Sequence, residues 1–336
     1  MVWLTWVTIA VTLAAATIGV MGLLLGWQAR RRAPRPLPTP ARRLLVVSPH
    51  PDDCVIIGAG QAMRTVETGG SVRILYATTG SRKSEVATRA TRRREALEAW
   101  AHLDLGEGDL VFLEHEGESG LLEPADMAAA VAEIRDEIQA FQPDRVVMPL
   151  YEGGHAQHDA VNWITARALA DSGVDADLYE AAEYNFYWSW HTTPEKMLAL
   201  LSRLLPGWDH PHPPEPIDSR ALWAPPLTAA QQEQKKSMLH CFATQSPEAL
   251  VRSAGGPERL QRYRGHDYTR PPFRYAGSFA WCVDHLKRLP GLGAWFRKSF
   301  RRTRTLHPDP RVRMHALPIE AVERCLTRPD PLADQS

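Results

Sequence analysis

The stretch LLVVSPHPDD, residues 44–53, decides the predicted fold. Its first four residues are apolar and favour a strand buried on both faces, and a polar loop of His, Pro and Asp follows at once. Gly58-Ala59-Gly60 then opens a helical segment that ends before Gly69-Gly70. The order strand, polar loop, helix is typical of the first unit of a parallel α/β sheet.

The same alternation of strand and helix continues to about residue 182. Apolar runs predict further strands at 72–78, 110–113, 145–150 and 177–182, and helical periodicity predicts helices at 58–67, 85–103, 125–141, 159–171 and 227–242. The predicted fold class is therefore α/β, with a Rossmann-like, mostly parallel sheet and helices on both faces.

The N-terminus predicts one transmembrane helix ahead of this domain. Residues 2–26 carry no charged side chain, and the run exceeds the roughly 20 residues that span a hydrocarbon core. Six arginines lie within residues 30–43 and no basic residue precedes the run, so the positive-inside rule places the body in the cytoplasm. A cleaved signal peptide and a buried helix are the alternatives.

Composition divides the chain into four parts: a transmembrane anchor at 1–28, an Arg/Pro-rich linker at 29–43, a catalytic domain at 44–250 and a C-terminal extension at 251–336. In the extension, residues 287–304 mix seven basic residues with Trp and Phe, which suits an anionic membrane surface. A solvated basic tail, or a strap paired with the acidic body, is the alternative. Because the rest of the chain is acidic, we expect no binding of nucleic acid.

Metal-ligating residue types follow two of the predicted strands. His50, Asp52 and Asp53 come after the first strand, and His155 and His158 come after the strand at 145–150. Because the carboxyl ends of parallel strands share one edge of a sheet, we expect these side chains to meet. Imidazole and carboxylate ligands suit zinc in a catalytic site. Solvated polar loops are the alternative.

These segments resemble the PIG-L/LmbE-like N-acetylglucosaminyl deacetylase family. PHPDD at 49–53, with the Gly-x-Gly that follows, is similar to the family's first motif, and HAQH at 155–158 is similar to its second, H-x-x-H motif. Three further segments are similar to the family: VETGGSVRILYATTG at 66–80, the pattern R-x-x-E-x-x-x-A-x-x-x-L at 92–103, and residues 236–245, which end in Thr-Gln.

The resemblance implies a zinc-dependent hydrolase that removes the N-acetyl group from an amino sugar. It implies zinc ligation by His50, Asp53 and His158, a general base at Asp52, an oxyanion partner at His155 and a sugar contact at Arg92. An anchored enzyme suggests an anchored substrate, so a lipid-linked GlcNAc at the cytoplasmic membrane face is one candidate. The expected partners are this substrate and the membrane.

Two residues depart from the family's motifs. Cys54 stands where the family has Glu, and Gln157 stands where it often has Asp. A neutral Gln does not raise the pKa of a neighbouring imidazole as a carboxylate would.

Two other functions stay open. One is a metal-dependent hydratase or non-haem iron enzyme, since two His and one carboxylate also form the facial triad. The other is a degenerate binding module at the membrane.

Overall fold

The computed structural model describes the chain between residues 34 and 268 with gaps. The described residues are 34–37, 39–80, 86–115, 121, 124–151, 156–181, 183, 223–266 and 268, together with residues 3, 5–9, 12 and 16. Most of the predicted anchor at 2–26 and all of the basic segment at 287–304 lie outside them. Among the described residues, no helix combines the length and the apolar character needed to cross a membrane.

Eight strands and six helices make up the described domain. The strands are β1 (Arg35–Pro36), β2 (Arg43–Ser48), β3 (Ser71–Thr78), β4 (Leu110–His115), β5 (Arg145–Pro149), β6 (Asp177–Ala181), β7 (Trp223–Ala224) and β8 (Leu260–Arg262). The helices are α1 (Asp53–Glu67), α2 (Val86–Ala101), α3 (Pro124–Phe141), α4 (Ala156–Ser172), α5 (Ala229–His240) and α6 (Pro247–Ala254).

All eight strands form one sheet, in the order β1-β7-β8-β6-β5-β2-β3-β4. Strands β6, β5, β2, β3 and β4 pair parallel with one another, and β1 pairs parallel with β7. Strand β8 pairs antiparallel with β6 and β7. From β2 the chain adds β3 and β4 on one side and later β5 and β6 on the other. The strand order therefore reverses between β2 and β5, which is where open α/β sheets bind their ligands.

Helices cover both faces of the sheet, and the alternation of side chains along β2 shows it. Leu45 and Val47 pack into a core with α3 and α4, whereas Leu44 and Val46 pack into a second core with α1, α2 and α5. Such two-sided burial explains why β2 reads as a continuous apolar run. The prediction of a mostly parallel α/β sheet between two helical layers is confirmed.

The observed elements differ from the predicted ones mainly at their ends. Helix α1 begins at Asp53 and not at residue 58, because the apolar residues after the two aspartates already belong to its buried face. The sheet also takes in β1, within the predicted linker at 29–43, and β8, beyond the predicted domain end at 250. Strands of two or three residues leave too short a pattern to be recognised in a sequence.

Helix α1 lies so close to the sheet that only glycine fits at one contact. A Cβ atom on Gly58 would lie 2.7 Å and 2.8 Å from the two methyl carbons of Val46, which is fully buried in β2. We expect Gly58→Ala to lower the free energy of unfolding by about 1–3 kcal/mol, because overpacking outweighs the better helix propensity of alanine. Urea unfolding measures this.

The control for this prediction is Gly108→Ala. A Cβ atom on Gly108 would have no neighbour within 4 Å. We therefore expect a change of less than about 0.5 kcal/mol there. Equal stability of the two alanine variants would contradict the tight contact between α1 and β2.

Candidate metal centre and active site

Side-chain hydrogen bonds hold the loop after β2 against the sheet. The Thr78 hydroxyl donates to the carbonyl oxygen of Pro49 at 2.7 Å, and the Ser48 hydroxyl donates to that of His50 at 2.8 Å. The Cys54 thiol donates to the Ser48 hydroxyl at 3.0 Å, and its burial raises the pKa of this thiol well above its usual range. Cys54 thus supports the loop as a small buried side chain, and it is not among the groups that converge on the site.

Three side chains converge beyond this loop. Asp53 Oδ2 lies 2.7 Å from His50 Nδ1 and 3.1 Å from His158 Nε2. The two imidazole nitrogens lie 3.3 Å apart. His50 and Asp53 come from the loop after β2 and the first residue of α1, and His158 comes from the first turn of α4, after β5. The structure thus brings together the three residues that the sequence analysis assigned as metal ligands, and the assignment itself stays a prediction.

The three atoms fit a divalent metal ion by chemistry and by spacing. Two imidazole nitrogens and one carboxylate oxygen form the donor set found in catalytic zinc sites, which keep a further position open for water or substrate. Ligand atoms placed tetrahedrally about 2.0–2.1 Å from zinc are roughly 3.3 Å from one another. Separations of 2.7–3.3 Å among the three atoms are close to that value. This group of residues could therefore hold a metal ion.

The second ring nitrogen of each imidazole also lies close to a side-chain oxygen. His50 Nε2 lies 2.8 Å from Gln157 Oε1, and His158 Nδ1 lies 2.9 Å from Glu183 Oε2. The sequence analysis assigned no role to Glu183. It follows β6 at the same edge of the sheet as the ligands, so a carboxylate just past a buried strand end was the available signal.

Burial and proximity set the charges within this cluster. Although burial opposes ionisation, the imidazoles of His158 and His50 hold the pKa of Asp53 well below its usual range. Although burial disfavours the imidazolium, the carboxylates of Asp53 and Glu183 raise the pKa of His158 well above its usual range. For Glu183, burial and then the charge of Asp53 raise the pKa. The cluster therefore attracts positive charge, as a metal centre requires.

Asp52 is a buried carboxylate with no structural task in its helix. It occupies the N-cap position of α1, but its side chain makes no capping hydrogen bond. Its Oδ1 lies 3.8 Å from Nη1 of Arg92. Burial and the neighbouring charge of Asp53 raise the pKa of Asp52 to about 6. A carboxyl group that titrates near neutral pH is suited to taking and returning a proton.

Two side chains of helix α2 make separate contacts: Arg92 lies near Asp52, and Glu95 binds Thr244. Arg92 lies 3.8 Å from Asp52 and helps to line a cavity of about 280 Å³, whose wall also includes Pro51 of the loop after β2. Glu95 accepts hydrogen bonds from the backbone N–H of Thr244, at 2.8 Å, and from its hydroxyl, at 2.7 Å. The pattern R-x-x-E thus joins a residue at the site to one that fastens the segment 243–245 onto the domain.

One predicted site residue falls outside the described part of the chain. His155 lies among residues 152–155, which the structure does not describe, so its role stays a prediction. His50, Asp52, Asp53, His158 and Arg92 are all described, and they lie at one edge of the sheet.

Comparison with known proteins finds one family model that is similar to this part of the chain. Residues 45–169 match the model of the PIG-L family, described as GlcNAc-PI de-N-acetylase. The matched segment begins in β2 and ends in α4, so it includes all three residues of the candidate metal centre. A search of curated proteins found no match.

Several solved structures are similar to the chain. A triple mutant of a deacetylase of teicoplanin biosynthesis shares 16% identity, with a TM-score of 0.47, over 67% of this chain and 99% of its own. The N,N'-diacetylchitobiose deacetylase of Pyrococcus horikoshii shares 18% identity, with a TM-score of 0.39, over 63% and 73%. The 4-carboxy-2-hydroxymuconate hydratase of Pseudomonas putida shares 16% identity, with a TM-score of 0.43, over 67% and 97%.

Proposed function

We propose, from the match of residues 45–169 to the PIG-L family model, that this protein is a metal-dependent deacetylase, a zinc hydrolase that acts on an N-acetylated amino sugar. The observation that carries the proposal is the meeting of His50, Asp53 and His158 beside the buried carboxylate of Asp52. Zinc at such a site supplies a water nucleophile at neutral pH and polarises the carbonyl group of the substrate.

Asp52 is the proposed proton carrier of the reaction. Hydrolysis joins a water oxygen to the acetyl carbon and breaks the bond between that carbon and the amide nitrogen. The Asp52 carboxylate takes the proton of the attacking water and returns it to the departing nitrogen, so that acetate and a free amino sugar leave. A buried carboxylate beside the metal-ligating residues is placed to act first as base and then as acid. We propose His155 as a partner for the oxygen that gains negative charge.

The cavity lined by Pro51 and Arg92 is the proposed place of the sugar. Its volume of about 280 Å³ suits a small ligand, and its wall includes Arg89, Arg92, Thr79 and Phe112. Guanidinium groups offer several N–H donors in a fixed geometry, which suits the hydroxyl oxygens of a sugar. Arg92 is the proposed sugar contact, because it reaches from this wall to within 3.8 Å of Asp52.

We further propose that residues 2–26 anchor the enzyme in a membrane, with the catalytic domain on the cytoplasmic side. The described residues in this run are helical, and Trp3, Trp6, Val7 and Ile9 are exposed in the isolated chain. A lipid-linked GlcNAc would then be a substrate within reach. Recovery of the full-length chain in the membrane fraction, with the domain open to protease only after lysis, is the expected result. Recovery as a free protein would contradict the anchor.

Acetate release tests the proposed activity. The purified full-length chain, loaded with zinc, is incubated with soluble and lipid-linked N-acetyl sugars, and free acetate and primary amine are measured in equal amounts. Release from at least one N-acetyl sugar, lost with a chelator and restored by zinc, is the expected result. Activity with iron on the hydratase or oxygenation reactions, and no acetate from any sugar, would favour the alternative chemistry instead.

A further inference from the structure

The two histidines of the candidate metal centre turn different nitrogens toward it. His50 directs Nδ1 at Asp53, whereas His158 directs Nε2 at the same carboxylate. The nitrogen on the far side of each ring meets a side-chain oxygen, at 2.8 Å for His50 and 2.9 Å for His158. At His50 the contact is a hydrogen bond to an amide oxygen, which only accepts, so Nε2 carries the proton. At His158 the ion pair with the Glu183 carboxylate favours the proton on Nδ1.

The two oxygen acceptors are themselves buried and come from different elements. Gln157 is 7% exposed and precedes His158 in the first turn of α4. This one turn of helix therefore supplies both the candidate ligand His158 and the oxygen that contacts His50. The Glu183 side chain is 1% exposed, and the residue lies two positions after the end of β6, the strand beside β5. Both contacts thus depend on how α4 and β6 pack at the edge of the sheet.

We infer that Gln157 and Glu183 are positioning residues that select the coordinating nitrogen of each histidine, Nδ1 for His50 and Nε2 for His158. The inference rests on the metal site of the proposed function. Partners of this kind fix the tautomer and orientation of a ligating imidazole, and their removal typically weakens metal binding by about 10- to 100-fold.

The neutral side chain of Gln157 can accept a hydrogen bond from His50 Nε2 without carrying a charge. The amide oxygen reaches His50 Nε2 across two side-chain methylene groups. Glutamate has the same length and also offers an oxygen acceptor, whereas aspartate is one methylene shorter. Gln157→Glu is therefore expected to preserve the contact with His50, and Gln157→Asp and Gln157→Ala are expected to lose it.

Zinc affinity, measured by competition with a chromogenic chelator on the full-length chain, tests the inference. Gln157→Ala, Gln157→Asp and Glu183→Ala should each bind zinc about 10- to 100-fold more weakly, and Gln157→Glu should stay within about threefold. The matched controls are Gln139→Ala and Glu133→Ala, at exposed positions on α3, and both should bind zinc as the wild type does. Wild-type affinity in Gln157→Ala and Glu183→Ala would overturn the inference.

Nitrogen-15 NMR of the zinc-loaded protein reads the tautomers directly. We expect His50 to keep its proton on Nε2 and His158 to keep its proton on Nδ1. The opposite assignment for either ring would overturn the inference, even where zinc affinity falls because a variant is less stable.

If the wild type binds zinc and releases acetate but the variants bind zinc normally, only the inference fails. If the wild type neither binds zinc nor releases acetate, the proposed function fails first.

Discussion

Replacement of Asp52 by Asn is expected to lower kcat for acetate release by about 10²- to 10⁴-fold, the range typical of a lost general base or acid. An amide of the same shape cannot take a proton from water or return one to the leaving amine. The side chain of Asp52 does not cap helix α1, so the substitution removes no capping hydrogen bond. None of the three metal-ligating atoms belongs to Asp52.

A change in kcat of Asp52→Asn is informative only when its zinc content and its stability do not change. Zinc content and the urea midpoint of Asp52→Asn are expected to match the wild type. The exposed substitution Asp136→Asn, at a residue that pairs with Arg135 on α3, provides a control with normal kcat. A near-normal kcat in Asp52→Asn would mean that another group carries the proton.

Replacement of Lys235 by Met is expected to lower the free energy of unfolding by about 3–5 kcal/mol, the range found when one partner of a buried ion pair is removed. The ammonium group of Lys235 is fully buried. It donates to Glu258 Oε2 at 3.0 Å and to the carbonyl oxygen of Ile56 at 2.9 Å. Glu258 in turn accepts from the backbone N–H groups of Gly60 and Gln61, at 3.2 Å and 2.7 Å. Without the lysine, a buried carboxylate would lie against the middle of α1 with no cation.

The adjacent lysine provides the control for this substitution. Lys236 is partly exposed and pairs with Glu233 on the surface of α5, so Lys236→Met should change stability by less than about 0.5 kcal/mol. Adding Glu258→Gln to Lys235→Met should recover part of the loss, because the remaining amide is neutral. Equal unfolding midpoints for the two single lysine variants would show that the buried pair does not hold α5 to α1.

The central sheet and the ligands could be predicted from sequence for a local reason. Strand β2 is a short run of buried apolar residues. His50 and Asp53 follow it directly, so the end of this run is enough to place both residues at the carboxyl edge of the sheet. His158 follows β5 in the same way. Where a residue's position follows from the end of its own strand, the sequence pattern is enough.

The supporting residues could not be predicted, because their partners lie far away in the chain. Glu180 lies within β6 and Glu183 lies two residues after it, and the sequence does not say which of these buried carboxylates meets the ligands. The structure pairs Glu180 with Asn162, Gln261 and His266 and places Glu183 against His158. Lys235 likewise reads as an ordinary polar position of a helix until Glu258, 23 residues later, is brought beside it.

The most direct test of a zinc centre at His50, Asp53 and His158 is the metal content of Asp53→Asn. The change keeps the shape of the side chain but removes the charge that lies against both imidazoles. We predict about one zinc ion per wild-type chain by elemental analysis, and almost none in Asp53→Asn, with loss of acetate release in parallel. Wild-type zinc content in a folded Asp53→Asn protein would contradict the assignment of the metal centre.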